Sequence, residues 1–109
     1  MRGCARTLRW SDVVEATVVV GRSARRAERE AAVVSSFGTR AAAALDLLEL
    51  TEFAWHDCYG DATPPDSVID DILVVAGGDL GGLIQAARLA VEDFRDLRVS
   101  ADAIRTGDR

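Results

Sequence analysis

The sequence contains no lysine and no asparagine, and all 13 of its basic side chains are arginine. So complete a bias reflects a GC-rich coding genome better than a separate demand for a guanidinium at each position, and it points to a bacterial source. The two cysteines, Cys4 and Cys58, are too few for a disulfide framework and form no CxxC pair, which excludes disulfide-scaffold and zinc-ribbon classes. Both are expected as reduced thiols, with Cys58 a buried structural one. With His56 as the single histidine, a multi-histidine zinc hydrolase is excluded. No uninterrupted apolar run approaches the roughly 20 residues that a membrane span needs. The N-terminus carries charge without the apolar stretch and cleavage site of a secretory signal. A cytoplasmic protein with no membrane partner is expected.

What is present suits one domain: 109 residues, 49% hydrophobic and 28% charged. A chain of this size buries roughly two thirds of its unfolded surface, leaving little stability to spare, so self-association would help it. The net charge of −5 is unevenly spread. Residues 1–40 hold eight Arg against four carboxylates, whereas residues 41–109 hold five Arg against 14 carboxylates. An acidic body repels phosphate backbones, which disfavours nucleic acid as a partner. Only the cluster Arg22, Arg25, Arg26 and Arg29 could bind it, and the simpler reading is a solvated face or one that packs against the acidic body.

The hydrophobic pattern predicts an all-α fold: a small antiparallel bundle of about four helices behind a poorly ordered N-terminal arm. Residues 1–22 are expected as a flexible arm and 23–109 as a single helical domain. Val13 to Val20 could be strand or helix, but a lone strand would leave its backbone unpaired, which favours helix. Ala24, Ala27, Ala31 and Val34 recur at helical spacing and predict a helix over 23–36. Thr39 is expected to cap a second helix over 40–59 that ends at Gly60. On this helix Ala44, Leu47, Leu48, Leu50, Thr51, Ala54, Trp55 and Cys58 form the apolar half. Asp46, Glu49, Glu52, His56 and Asp57 form the wet half.

Thr63-Pro64-Pro65-Asp66 signals a third start, with Thr63 as cap and the prolines in the first turn. The helix over 65–76 is apolar on more than half its surface and stops at Gly77-Gly78. Asp79 is expected to cap the last helix, whose seam reads Leu80, Leu83, Ala87, Ala90, Phe94, Leu97, Ala101 and Ile104. Arg98 and Arg105 narrow that seam. Val99 and Ser100 are poor helix formers and mark the expected break; unbroken, the helix would extend about 40 Å and need a partner chain. The glycines from Gly77 to Gly82 are read as a helix stop and a close crossing. A phosphate loop there would lack its lysine and face the repulsion of Asp79.

Two function classes remain. The favoured one is an interaction or regulatory module with no cofactor, which self-associates or binds another protein through a helix face. Its contacts would be Phe53, Leu80, Leu83, Phe94, Leu97 and Ile104. The alternative is an enzyme acting on a phosphorylated small molecule with magnesium or manganese. Glu49, Glu52 and His56 lie at i, i+3 and i+7 on one helical stripe, and Asp70 and Asp71 on the next helix could complete an oxygen-rich ligand set. The simpler reading of the same residues is a solvated acidic face.

Glu49-Leu50-Thr51-Glu52, followed by Asp70 and Asp71, resembles the carboxylate site of the all-α, MazG-like nucleoside triphosphate pyrophosphatases over residues 49–71. Val68 stands where that pattern has a second Glu before Asp71. The resemblance implies a carboxylate cluster that holds magnesium against a triphosphate.

Overall fold

A computed structural model of the chain describes the backbone from Trp10 to Gly107 and side chains from Gly21 onward. It is all-α, with no strand among the described residues. Helix α1 spans Trp10–Phe37, a 3-10 turn covers Gly38–Arg40, and α2 spans Ala41–Tyr59. Helices α3, Asp66–Ala76, and α4, Leu80–Arg105, follow. The expected arm therefore overlaps α1, which takes in the whole valine run from Val13 to Val20; residues 1–9 lie outside the described part.

Glycine stops fall where the sequence placed them. Gly60 and Gly77 end α2 and α3 with φ of 83° and 59°, and their N–H groups donate to the carbonyls of His56 and Leu73. A left-handed residue there lets the chain return and satisfy the last carbonyls. The starts differ more. Asp79 does cap α4, accepting from Gly82 N at 2.8 Å. Thr39 and Thr63 cap nothing: α2 and α3 begin after Arg40 and Pro65 without a side-chain cap. Thr39 is absorbed in the 3-10 turn, and the Thr63 hydroxyl accepts a hydrogen bond from Arg29.

Helix α3 packs along α4, and their contact is apolar. Val68, Ile69, Ile72 and Ala76 meet Leu83, Ala86, Ala90 and Leu97 in a core that continues into Leu45, Leu48 and Trp55 of α2. The close crossing expected at the glycines exists. A Cβ on Gly82 would lie 2.8 Å from the carbonyl oxygen of Ala76, so only a bare Cα fits. Leu83 and Leu97, expected to meet a partner, are fully buried within this one chain.

Helix α4 does not break at Val99-Ser100, which are helical, but bends at Asp93, where φ and ψ are −161° and 90°. Asp93 Oδ1 accepts from Arg95 N at 3.1 Å and from Asp96 N at 3.3 Å, so the residue acts as an N-cap inside the helix and restarts it. The carbonyl of Val91 would ordinarily receive Arg95 N; instead it accepts from the Tyr59 hydroxyl at 2.7 Å. The bend turns the second half of α4 along α3. The straight 40 Å rod that would require a partner chain does not form.

The continuous helical stretch Gly21–Tyr59 contains an 18-residue window of mean hydropathy 1.3, one third of it buried, which by length and composition is enough to cross a membrane. The same stretch carries the ion pairs that join α1 to α2.

Candidate functional site

Helix α1 faces the rest of the molecule with the side opposite to expectation. Ala24, Ala27, Ala31 and Val34 are exposed, while Val33 and Phe37 are the buried apolar residues in its described part. Upstream of Val33 the inward stripe is basic: Arg22, Arg25 and Arg29 recur at i, i+3 and i+7 and lie over α2. An alanine stripe buries little area. The arginines, by contrast, meet a carboxylate that could not be buried without them.

That carboxylate is Glu52, expected on the wet face and in fact 1% exposed. Arg25 donates from Nε and Nη2 to its two oxygens at 2.6 and 3.2 Å, and Arg29 Nη1 donates to Oε2 at 2.9 Å. Arg22 Nε lies 3.6 Å from Oε1, beyond hydrogen-bond reach, and its guanidinium covers the Phe53 ring at 4.2 Å. Arg29 Nη2 extends to the Thr63 hydroxyl at 2.9 Å, bringing the α2–α3 connection into the cluster. Burial pushes the Glu52 carboxyl upward, but the hydrogen bonds and charge of Arg25, with the hydrogen bond from Arg29, outweigh it and hold the group below the usual glutamate range. Arg26, on the neighbouring flank, pairs with Glu49 and with Asp46, the latter at 2.8 Å.

A second buried carboxylate lies at the contact between α3 and α4. Asp71, on α3, is 1% exposed and is clasped from α4: Arg98 Nε donates to Oδ2 at 2.7 Å, and Arg105 Nη2 is 2.8 Å from Oδ1 without hydrogen-bond alignment. Arg98 and Arg105 are seven apart, two turns on one face, which is why they narrow the apolar seam.

The five expected metal ligands therefore do not share one site. Glu52 turns toward α1, Asp71 toward α4, Glu49 is engaged by Arg26, and His56 and Asp70 are exposed. Among the described residues no group of three or more His, Cys, Asp or Glu side chains is placed to hold a metal ion. The convergence that the pyrophosphatase resemblance implies is not found, because arginines from the flanking helices take each buried carboxylate.

The expected partner contacts also scatter. Phe53 is 50% exposed beneath Arg22. Phe94 belongs to an intramolecular aromatic group, with ring centroids 5.8 Å from both Trp55 and Tyr59. Leu80 and Ile104 are partly buried. Cys58, expected inside, is exposed.

Exposed apolar residues occur on three helices, Val34 on α1, Leu50, Phe53 and Tyr59 on α2, and Ile84 and Val99 on α4, and two of them flank the space between α2 and α4. Leu50 is 62% exposed and Ile84 53%. A shallow groove of about 270 Å³ runs between Leu47, Leu50 and Ala54 on one side and Ala87 and Val91 on the other, bordered by Arg88 and Glu92. The inward face of α2 is rotated from the expected one: Leu45 and Glu52 go in under α1, and Leu50 is left outside.

Comparison with protein-family models, with curated proteins and with solved structures gives no match.

Proposed function

We propose that this chain is a small protein–protein interaction module, folded as an antiparallel bundle, that self-associates through the open face between α2 and α4. The observation that carries the reading is the exposure of Leu50 and Ile84 beside the groove floored by Leu47, Ala54, Ala87 and Val91. Exposed apolar side chains beside an apolar groove support this reading, since burying them against a second surface removes them from water. The buried carboxylates, in contrast, are already neutralised within the chain.

The rim supports a second copy as the occupant. Arg88 and Glu92 pair at 3.0 Å on one turn of α4. A two-fold axis perpendicular to the groove, passing between Arg88 and Glu92, would bring each against its opposite on the other copy, as a self-complementary contact requires. This surface replaces the seam through Leu83 and Leu97, which the protomer uses for its own core.

The test is mass in solution by light scattering across the micromolar range. A dimer is expected for the natural sequence and a protomer for the double variant Leu50→Glu, Ile84→Glu, with unchanged helical content. A protomer mass for the natural sequence at high micromolar concentration overturns the proposal.

A further inference from the structure

The reversal of direction between α1 and α2 hangs on one residue. Phe37 and Ala41, on either side of the 3-10 turn, keep right-handed helical geometry with φ of −110° and −60°, and between them only Gly38 has a positive φ, 56°. No side chain caps the turn or the start of α2. With Gly38 returned to right-handed φ, α1, the turn and α2 would run on as a single helix. A Cβ on Gly38 would meet nothing within 4 Å, so an alanine there acts on backbone conformation alone.

The ion pairs between α1 and α2 are arranged evenly about that residue. Arg25 and Glu52 are 27 positions apart and Arg26 and Glu49 are 23 apart, and Gly38 falls at the middle of both intervals. Two straightened chains laid antiparallel about a two-fold axis at Gly38 would therefore set Arg25 against Glu52 of the other copy, and Arg26 against Glu49, in the register of the folded protomer. Charge narrows the choice of surface. Arg22, Arg25, Arg26 and Arg29 of α1 face Asp46, Glu49 and Glu52 of α2. Two α1 helices would repel each other across such a contact, as would two α2 helices. Helix α1 thus fits an acidic α2, its own or that of a second copy. Its buried apolar residues are, among those described, Val33 and Phe37, so α1 itself gives up little apolar burial on opening.

We propose that α1 exchanges between two copies of this chain, hinged at Gly38, so that each α1 lies on the α2 of the other copy. The contacts that α1 makes in the closed protomer are re-formed in such a dimer, including Arg29 with Thr63. Only the turn changes, which makes exchange of an identical element a low-cost route to association. A three-residue turn that depends on a left-handed glycine is the kind of short hinge that invites it. Glycine tolerates the closed turn, so the closed protomer predominates, and the exchanged dimer forms when chains unfold and refold together at high concentration. This contact is separate from the open face between α2 and α4, which uses Leu50 and Ile84.

Both tests use the full chain carrying Leu50→Glu and Ile84→Glu, refolded from urea at high micromolar concentration. Association then cannot arise through the face between α2 and α4, and a failure here leaves that reading standing. The first test adds Gly38→Ala, which opposes the left-handed turn and favours the straight helix. Light scattering should show a dimer whose association constant is about tenfold or more above that with Gly38, because two hinges contribute. The second test keeps Gly38 and refolds two chains together, one with Arg25→Glu and Arg29→Glu, the other with Glu52→Arg. Each chain alone sets like charges between its own α1 and α2, whereas exchange restores opposite charges in both contacts. A 1:1 complex by mass, with a melting midpoint above that of either chain alone, is expected. A protomer mass for Gly38→Ala, or a mixture that melts as the two chains do separately, overturns the proposal. Should Gly38→Ala aggregate, the mixing experiment decides.

Discussion

The contact between α1 and α2 and the contact between α3 and α4 each contain a buried carboxylate held by arginines from the neighbouring helix, yet the two are built on different physics. Between α3 and α4, Asp71 is an addition to an apolar seam that already contains Ile72, Leu83 and Leu97 with no exposure. Between α1 and α2, the apolar contribution of α1 is confined, among the described residues, to Val33 and Phe37 at its C-terminal end. From Arg22 to Arg29 the helix is held by charge. The same device thus trims one interface and carries the other. Removing a charge should matter most where nothing apolar stands behind it.

The largest expected effect follows from that asymmetry. Glu52→Ala leaves three guanidinium groups over a buried gap, and breaking a buried pair by removing one partner costs about 3–5 kcal/mol. Urea unfolding followed by circular dichroism measures it; a cost below about 1 kcal/mol, the range of a surface pair, would erase the contrast between the two contacts. The pH dependence has a fixed sign. Because the folded carboxyl lies below its ordinary value, the stability it contributes is complete above the unfolded glutamate pKa of about 4.3. That stability is lost as the pH falls through the folded value, and Glu52→Gln should lack this part of the acid loss.

Next in size is Ile72→Ala, which empties the fully buried centre of the α3–α4 seam and should cost about 2–5 kcal/mol at any salt concentration. Measured at low and high sodium chloride, this loss stays constant, whereas the part contributed by Arg26 with Asp46 and Glu49 shrinks with screening. Equal salt sensitivity in both would break the comparison. The smallest effect is at the bend: Tyr59→Phe removes one hydrogen bond to the Val91 carbonyl, which water can replace, and should cost about 0.5–1.5 kcal/mol. The same denaturation series resolves it.

Much of the fold was legible because helix stops and apolar runs are local signals. Gly60, Gly77 and the Asp79 cap stand where the residues placed them, and α3, apolar on most sides, is buried as that pattern requires. What was not legible is which side of a helix with two weak faces turns inward. Helix α1 offered alanines on one side and arginines on another, and the choice rested on Glu52, 27 positions away from Arg25. Sequence periodicity in α1 carries no knowledge of that residue.

A signal was nevertheless present. Arg22, Arg25 and Arg29 share one helical face, as do Arg98 and Arg105, and each set has a carboxylate on an adjacent helix as its counterpart. Matching charge stripes between neighbouring helices would have found both pairs. The bend was readable in principle too, since Asp93 bonds the backbone two and three residues ahead, as a helix-starting aspartate does.

Gly78 sits where the two contacts touch. Its φ of 78° already favours glycine, and a methyl group there would come within 2.6 Å of the Ser36 carbonyl oxygen, next to Phe37. A single added carbon in the hairpin joining α3 to α4 would therefore press on the far end of another helix and lever the Val33 and Phe37 anchor away from the core. The sequence of α1 would be unaltered, yet its seat would be lost.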